Sequence, residues 1–169
     1  MKPFITLILC LFAFSCSQAQ EELKTYTADG RTISSYNFDE FEKFLQKKND
    51  TTYVINFWAT WCRPCVAELP YFFQLEEELK NEKIHFIYVS LDFPTSVESN
   101  LIPYLIKKDI NAHVVLLDDP DANTWIPKVS GGWQGSIPAT VIYNQTGDSF
   151  FEQSFNYNSL KREITHFLN

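Results

Sequence analysis

Cysteine and glycine are scarce in this sequence. Four cysteines and five glycines occur among 169 residues. So few cysteines exclude a small domain held together by several disulfides, which is a common solution in exported proteins. Few glycines, together with 45% hydrophobic residues, exclude a low-complexity or disordered chain. What is left is one globular domain, large enough to bury an ordinary hydrophobic core.

Clusters of positive charge and metal-binding spacings are also missing. The formal net charge is -7, and no stretch of the sequence concentrates lysine or arginine. Nucleic acids bind proteins through such basic surfaces, so we expect no nucleic-acid partner. A structural zinc site needs four ligands, and the sequence has neither a second CxxC pair nor an HxxxH pair. We therefore expect no metal.

The N-terminus has the composition of an export signal. Lys2 supplies the charged start, and the apolar stretch over residues 4–14 is too short to span a bilayer. Small residues follow it, which predicts a signal peptide over residues 1–19 and a mature domain over residues 20–169. A sequence resembling a bacterial lipobox precedes Cys16 and offers a second cleavage site with a lipid anchor at that cysteine. Both alternatives predict export to the periplasm or the cell envelope.

Export leaves Cys62 and Cys65 as the remaining thiols. Cys10 is lost with the signal, and Cys16 is either removed or lipidated. A disulfide between Cys62 and Cys65 would close a very small ring, which restrains little of the unfolded chain. A purely structural disulfide is therefore the weaker interpretation of this pair.

Strand-like and helix-like segments alternate along the mature chain. Strands are predicted over residues 52–60, 85–93, 113–119, 138–144 and 149–157, and helices over residues 37–48, 63–81, 96–110, 121–130 and 159–169. Asp29-Gly30 predicts the turn of an N-terminal hairpin, and Ser159 is the predicted cap of the last helix. Pro70 falls inside the second helix. This order predicts an α/β fold: a three-layer α/β/α sandwich with a central mixed sheet.

Cys62 and Cys65 stand where an apolar strand passes into a helix. At a helix start, unpaired N–H groups and the helix dipole stabilise a thiolate at Cys62. Such sites lower a cysteine pKa from about 8.5 to roughly 3.5–7.5. Cys65 follows one turn later and can resolve a mixed disulfide formed by Cys62. Between them, Arg63 adds a cation and Pro64 suits a first helical turn, so both are predicted to tune the redox properties.

The segment NFWATWCRPCVAELP resembles the active-site segment of the thioredoxin superfamily, for which CxxC beside a βαβ pattern is the accepted sequence sign. The signal segment, the insert between residues 95 and 128 and the Glu68-Leu69-Pro70 triplet are most similar to exported TlpA/ResA-type thiol-disulfide oxidoreductases. Residues 136–140, SIPAT, resemble the cis-proline loop of that superfamily. The resemblance implies a thioredoxin-like fold with an N-terminal hairpin and an extra inserted strand and helix.

The resemblance also implies roles for individual residues. Cys62 would be the exposed nucleophile, and Cys65 the resolving thiol. Pro138 would follow a cis peptide bond, with Ile137 presenting backbone groups to a bound substrate chain. Trp61 would form a wall of the site.

Three further residues belong to the implied site, and two of them, Glu68 and Trp133, have an alternative interpretation. Glu68 is placed to tune or deprotonate Cys65, or it is a solvated helix residue. Asn56 stands where thioredoxins have a buried Asp, so any carboxylate role would pass to Glu68. The glycine-rich residues 131–135 form a connector, or a mobile lip whose Trp133 contacts the partner protein.

The leading functional hypothesis is an exported, monomeric reductase of protein disulfides. It would need no cofactor beyond the Cys62–Cys65 redox disulfide. Its expected partners are oxidised exported proteins, such as apocytochrome c, a periplasmic isomerase or a damaged envelope protein, and a membrane thiol electron donor. An oxidase or isomerase is the nearest alternative. A peroxidase is disfavoured because Thr60-Trp61-Cys62 lacks the Thr-x-x-Cys pattern of peroxiredoxins. A Sco-type copper-delivery protein needs CxxxC and a histidine, and His113 alone lies in a plausible region.

Overall fold

A computed structural model of the chain describes residues 23–168. The predicted signal peptide over residues 1–19, the start of the mature chain at residue 20 and the lipid anchor at Cys16 lie outside the described residues. They therefore stay predictions. Within residues 23–168, no helix combines the length and the apolar character needed to cross a membrane.

In the described part of the chain, seven strands form one mixed sheet. The strands are β1 (Thr25–Ala28), β2 (Arg31–Tyr36), β3 (Thr52–Trp58), β4 (Ile84–Ser90), β5 (Val114–Leu117), β6 (Ala139–Asn144) and β7 (Gly147–Phe151). Their order across the sheet is β1-β2-β5-β4-β3-β6-β7. Strands β2, β5, β4 and β3 run parallel, whereas β1, β6 and β7 pair antiparallel with their neighbours. The predicted mixed sheet, N-terminal hairpin and closing antiparallel pair are confirmed.

Between residues 23 and 168, five α-helices connect and cover the strands. They are α1 (Phe38–Phe41), α2 (Arg63–Glu78), α3 (Ile102–Lys107), α4 (Ala122–Val129) and α5 (Tyr157–Leu168). The first is shorter than predicted and continues as a 3-10 turn over Glu42–Phe44. In the insert, a π-helical turn over Val97–Leu101 precedes α3, which begins one residue before Pro103. The Ile102 N–H donates to the Val97 carbonyl, so the chain passes from the π-helical turn into α3 without a break. Pro103 therefore lies directly after the π-helical turn, where the regular α-helical hydrogen bonding is already interrupted.

The core consists of two clusters, one on each face of the sheet. Strand β3 is buried along its whole length and supplies both of them. Val54 and Trp58 pack with residues of α2, α3 and α5 in the first cluster. Ile55 and Phe57 pack with residues of α1 and α4 in the second. Successive strand residues point to opposite faces, so the predicted three-layer sandwich follows directly from this strand.

The N-terminal hairpin turns where the sequence predicted. Asp29 and Gly30 have φ angles of +49° and +77°. Two successive positive φ values are the requirement of a type I′ hairpin turn, which Asp-Gly satisfies at low cost.

The predicted cap of α5 was wrong by one turn. Ser159 lies inside the helix, and Asn156 occupies the cap position. The Ser159 N–H donates to Asn156 Oδ1 over 3.0 Å, and the Asn156 N–H donates to Ser159 Oγ over 3.1 Å. This reciprocal pair is a capping box, in which the third helical residue resembles a cap because its side chain bonds back.

Candidate active site

Cys62 and Cys65 are joined by a disulfide at the start of α2, with their Cα atoms 5.3 Å apart. Cys62 is the N-cap of the helix, and its Sγ lies 3.3 Å from the backbone nitrogen of Cys65. The sulfur therefore faces the N–H groups that the first helical turn leaves unpaired. Cys62 is 5% exposed and Cys65 0%. The nucleophile assigned from the resemblance is thus less exposed than expected, although it is the more accessible sulfur of the two.

The residues around Cys62 divide into an exposed side and a covered side. Trp61, Arg63 and Pro64 are exposed. On the covered side, the carbonyl oxygen of Ile137 lies 3.6 Å from Cys62 Sγ. A disulfide sulfur carries no hydrogen, so this is a contact, and a reduced Cys62 thiol could donate there. The peptide bond between Ile137 and Pro138 is cis, as the resemblance implied.

Glu68 is a buried acid and not a solvated helix residue. Its side chain faces the core one turn after Cys65, and the residue is 1% exposed. Oε1 accepts from Asn56 Nδ2 over 3.0 Å, and Oε2 accepts from the Phe155 N–H over 2.7 Å. Burial raises the pKa of Glu68 to about 7, although these two hydrogen bonds oppose the rise. A carboxyl with such a pKa exchanges protons near neutral pH.

Asn56 connects Glu68 to the cis-proline strand. Its Nδ2 also donates to Thr140 Oγ1 over 3.1 Å, two residues after Pro138. Asn56 Oδ1 is buried and has no hydrogen-bond partner among residues 23–168. This amide therefore supports Glu68 as a hydrogen-bond acceptor, whereas an Asp at the same position would place two carboxylates side by side.

Trp133 does not form part of a mobile lip. It is 5% exposed, and its ring centroid lies 4.9 Å from that of Phe57 and 5.6 Å from that of Trp125. Its Nε1 donates to the Ser136 carbonyl over 2.9 Å. The prediction that Trp133 contacts a partner was wrong, because this side chain anchors the glycine-rich loop in the second core cluster.

Two carboxylates that hold the site loops were missed from the sequence. Asp92 is 3% exposed and accepts from the Thr60 N–H over 3.0 Å, from the Thr60 hydroxyl and from Ser90 Oγ over 2.8 Å. Glu152 accepts from the N–H groups of Gln134 and Ser136 over 3.0 and 2.8 Å. The first fixes the loop before Cys62, and the second fixes the loop before the cis-proline.

His113, the histidine considered for copper binding, and the two cysteines lie on opposite faces of the sheet. His113 Nδ1 is 3.1 Å from His85 Nε2. His85 shares its strand face with Ile87 and Val89, which belong to the second core cluster, whereas Cys65 belongs to the first. No group of three or more candidate metal ligands occurs within residues 23–168.

Comparison with known proteins agrees with this geometry. The model of the AhpC/TSA family matches residues 21–147. The chain belongs to this family. A match of that extent includes the strand before the cysteines, the helix after them and the cis-proline loop. The resemblance to thioredoxin-like proteins drawn from the sequence is therefore confirmed.

A sequence relative of this AhpC/TSA family member is thiol-disulfide oxidoreductase ResA of Oceanobacillus iheyensis. The two are 51% identical over 39 residues, which is 23% of this chain and 20% of ResA. The chain thus matches about a fifth of the length of that relative.

Two solved structures share the fold. A thiol:disulfide interchange protein from Chlorobium tepidum has a TM-score of 0.60 at 20% identity and covers 86% of this chain and 94% of its own. A secreted disulfide oxidoreductase from Mycobacterium tuberculosis, homologous to DsbE of E. coli, has a TM-score of 0.55 at 19% identity and covers 85% and 96%. At these identities the likeness establishes the thioredoxin-like fold alone.

Proposed function

We propose that this protein is an exported thiol-disulfide oxidoreductase that reduces disulfides in other proteins. The observation that carries the proposal is the position of Cys62 at the N-cap of α2, where its Sγ also lies 3.6 Å from the Ile137 carbonyl. The Cys62 sulfur thus lies at a helix start, which stabilises a thiolate. It also lies beside a backbone segment that can hold a substrate chain. The 51% identity to thiol-disulfide oxidoreductase ResA over 39 residues supports the same chemistry.

The reaction begins with the reduced protein. The Cys62 thiolate attacks one sulfur of a substrate disulfide, forming an intermolecular S–S bond and releasing the other substrate sulfur as a thiolate. The N–H groups at the start of α2 stabilise the Cys62 thiolate before the attack. The substrate backbone lies beside Ile137 in this complex.

The second step returns the protein to the disulfide form described above. Cys65 loses its proton, and its thiolate attacks Cys62 Sγ. The intermolecular bond breaks, the Cys62–Cys65 bond forms, and the second substrate sulfur leaves as a thiolate. Two electrons pass to the substrate in total. Glu68, one turn after Cys65 with a pKa of about 7, is the proposed acceptor of the Cys65 proton. A dithiol donor, which we propose to be a membrane thiol carrier, then reduces the protein again.

A trapping experiment tests the oxidoreductase activity. Cys65→Ser protein would hold its substrate on Cys62 as a mixed disulfide, which can be isolated from the native cell envelope and identified by mass spectrometry. Cys62→Ser protein is the matched control, because it retains one thiol but lacks the nucleophile. The proposal fails if the two variants capture the same proteins in the same amounts.

Direction and alternative chemistry need separate measurements. Equilibration with glutathione or dithiothreitol gives the reduction potential, which we expect near the thioredoxin value of about -270 mV. A value near about -120 mV, that of DsbA, would identify an oxidant instead. We expect the reduced protein to consume hydrogen peroxide no faster than Cys62→Ser protein. Titration of the reduced protein with Cu(I) should show no tight binding.

A further inference from the structure

Glu152 connects the end of β7 to the loop that precedes the cis-proline. Strand β7 pairs antiparallel with β6 and ends at Phe151, opposite Thr140. Glu152 is the next residue, so this register brings it beside the loop that enters β6. Its Oε2 accepts from the Gln134 N–H over 3.0 Å, and its Oε1 accepts from the Ser136 N–H over 2.8 Å. One side chain thus binds two backbone groups of the same loop.

Backbone groups, and not cationic side chains, are the partners of the Glu152 carboxylate. Among residues 23–168, no lysine, arginine or histidine forms an ion pair with it. The hydrogen bonds from the Gln134 and Ser136 N–H groups lower the pKa of Glu152 below its ordinary value. Glu152 is therefore ionised at neutral pH, and N–H groups bond more strongly to an ionised acceptor than to a neutral one.

Ser136 is held at both its N–H and its carbonyl. The N–H donates to Glu152, and the carbonyl accepts from Trp133 Nε1 over 2.9 Å. Trp133 is itself buried in the second core cluster. The residue after Ser136 is Ile137, whose carbonyl lies 3.6 Å from Cys62 Sγ. Trp133 and Glu152 together therefore fix the backbone directly before the residue that faces the sulfur.

The sequence of this loop gives its backbone little rigidity of its own. Residues 131, 132 and 135 are glycines, which have a wide choice of backbone conformations. Gly135, directly before Ser136, has a φ of +90°. Residues 134–136 are exposed, so their side chains are not packed in the core. Loss of the Glu152 carboxylate would release the N–H groups of two of these three residues.

We propose that Glu152 is a positioning residue for the reaction of Cys62 with polypeptide disulfides, because it holds the Ile137 backbone in the orientation that binds a substrate chain. The proposal rests on the proposed function, since it concerns how the same site recognises its substrate. Neither oxygen of Glu152 bonds to Cys62, so the reactivity of the sulfur does not depend on this carboxylate. A small disulfide without a peptide backbone does not need the Ile137 orientation, whereas a polypeptide disulfide does.

The test compares two disulfides as oxidants of the reduced protein. One is a short uncharged peptide with a central cysteine, joined through its disulfide to a second copy of the same peptide. The other is hydroxyethyl disulfide, which has no peptide backbone. Tryptophan fluorescence follows the oxidation at increasing concentrations of each disulfide. The peptide series gives a half-saturating concentration and a limiting rate, and the hydroxyethyl disulfide series gives a second-order rate constant.

Two variants of Glu152 separate the binding of the peptide from the reactivity of Cys62. We expect Glu152→Ala to raise the half-saturating peptide concentration about tenfold, because a small misplacement of a positioning group has effects of this order or larger. The limiting rate and the rate constant for hydroxyethyl disulfide should stay within about twofold of the wild-type values. Glu152→Gln keeps one oxygen that can accept but loses the charge, so we expect a rise of about threefold.

Asp148→Ala is the matched control, because Asp148 is an exposed carboxylate on the same strand. It removes the same charge and should keep the wild-type values, and circular dichroism verifies the fold of each variant. Three results would each overturn the role of Glu152 while the Cys62 reaction stands: an unchanged half-saturating concentration in Glu152→Ala protein, an equal slowing with both disulfides, or the same change in Asp148→Ala protein. Failure of wild-type protein to react with either disulfide would overturn the proposed function itself.

Discussion

At the scale of single residues, the buried carboxyl of Glu68 makes the stability of the fold depend on pH. Burial raises its pKa from 4.5 to about 7. Between these values the folded protein keeps a proton that the unfolded chain releases, so the free energy of unfolding decreases as pH rises through this range. The stabilising contribution is complete below pH 4.5 and is lost once pH passes 7.

Replacing Glu68 by glutamine removes this dependence. We expect the free energy of unfolding of wild-type protein minus that of Glu68→Gln protein to fall by about 2–3 kcal/mol between pH 5 and pH 8. Urea denaturation of the disulfide-bonded proteins at four pH values measures the difference. A difference that stays constant from pH 5 to pH 8 would show that Glu68 titrates normally in the folded state.

Asp92 gives a second prediction at this scale. Asp92→Ala leaves Thr60 and Ser90 without their shared buried acceptor. We expect a loss of about 2–3 kcal/mol in the free energy of unfolding, together with slower reaction of Cys62, because the loop before it loses its anchor. Ser90→Ala is the matched control: it removes the bond from the Ser90 hydroxyl to Asp92 and the acceptor of the Asp92 N–H, should cost about 1–2 kcal/mol, and leaves the Thr60 bonds in place. Equal effects of the two substitutions on the Cys62 reaction would contradict this role of Asp92.

At the scale of secondary-structure elements, the start of α5 supplies a test of the corrected cap. Asn156→Ala removes the oxygen that accepts from the Ser159 N–H, and we expect it to cost about 1 kcal/mol of stability. Asn156→Asp keeps that oxygen and adds a negative charge at the helix start, so it should be neutral or slightly stabilising. Thermal and urea unfolding of both variants measure the difference. A similar loss in both variants would argue against capping by Asn156.

Elements defined by burial could be predicted from the sequence, whereas contacts between distant loops could not. Every residue of β3 is buried. Burial on both faces of the sheet selects a nearly continuous apolar run, and this run predicts a central strand. The hydrophobic spacing of Phe38, Phe41 and Phe44 was ambiguous, since a period of three suits the observed 3-10 turn as well as an α-helix. The partners of Asp92 and Glu152 include backbone N–H groups up to 32 residues away, which no local pattern reveals.

Trp133 shows a further limit of sequence reasoning at this scale. Three glycines lie between residues 131 and 135, and such a composition is typical of flexible connectors. The loop is nevertheless anchored, because Trp133 packs between Phe57 and Trp125. An aromatic residue within a glycine-rich stretch is as consistent with an anchor as with a contact surface. Only the fold, which brings β3 and α4 to the same cluster, decides between them.

At the scale of the whole molecule, the direction of electron flow depends on which redox form the fold stabilises. DsbA is a strong oxidant because its reduced form is stabilised. Here the second sulfur, Cys65, is 0% exposed, and the neighbouring acid Glu68 is also buried. A thiolate at Cys65 would therefore be costly, and Arg63 is exposed, so solvent screens its charge from Cys62. These two features disfavour the charged reduced form, whereas the N–H groups at the start of α2 act in the opposite direction by stabilising the Cys62 thiolate. We expect the burial of Cys65 to outweigh this effect.

The relative stability of the two forms tests this argument. Closing a ring of about four residues contributes on the order of 2 kcal/mol through the entropy of the unfolded chain. We therefore expect the oxidised protein to unfold at a higher urea concentration than the reduced protein at pH 7, with a difference of about 2 kcal/mol. Cys62→Ser/Cys65→Ser protein is the matched control, since its stability should not respond to reductant. Because folding and reduction form one thermodynamic cycle, a more stable oxidised form makes the protein's disulfide harder to reduce, as a reductase requires. If the reduced form has the larger free energy of unfolding, the difference between the two forms changes sign, and the protein is an oxidant.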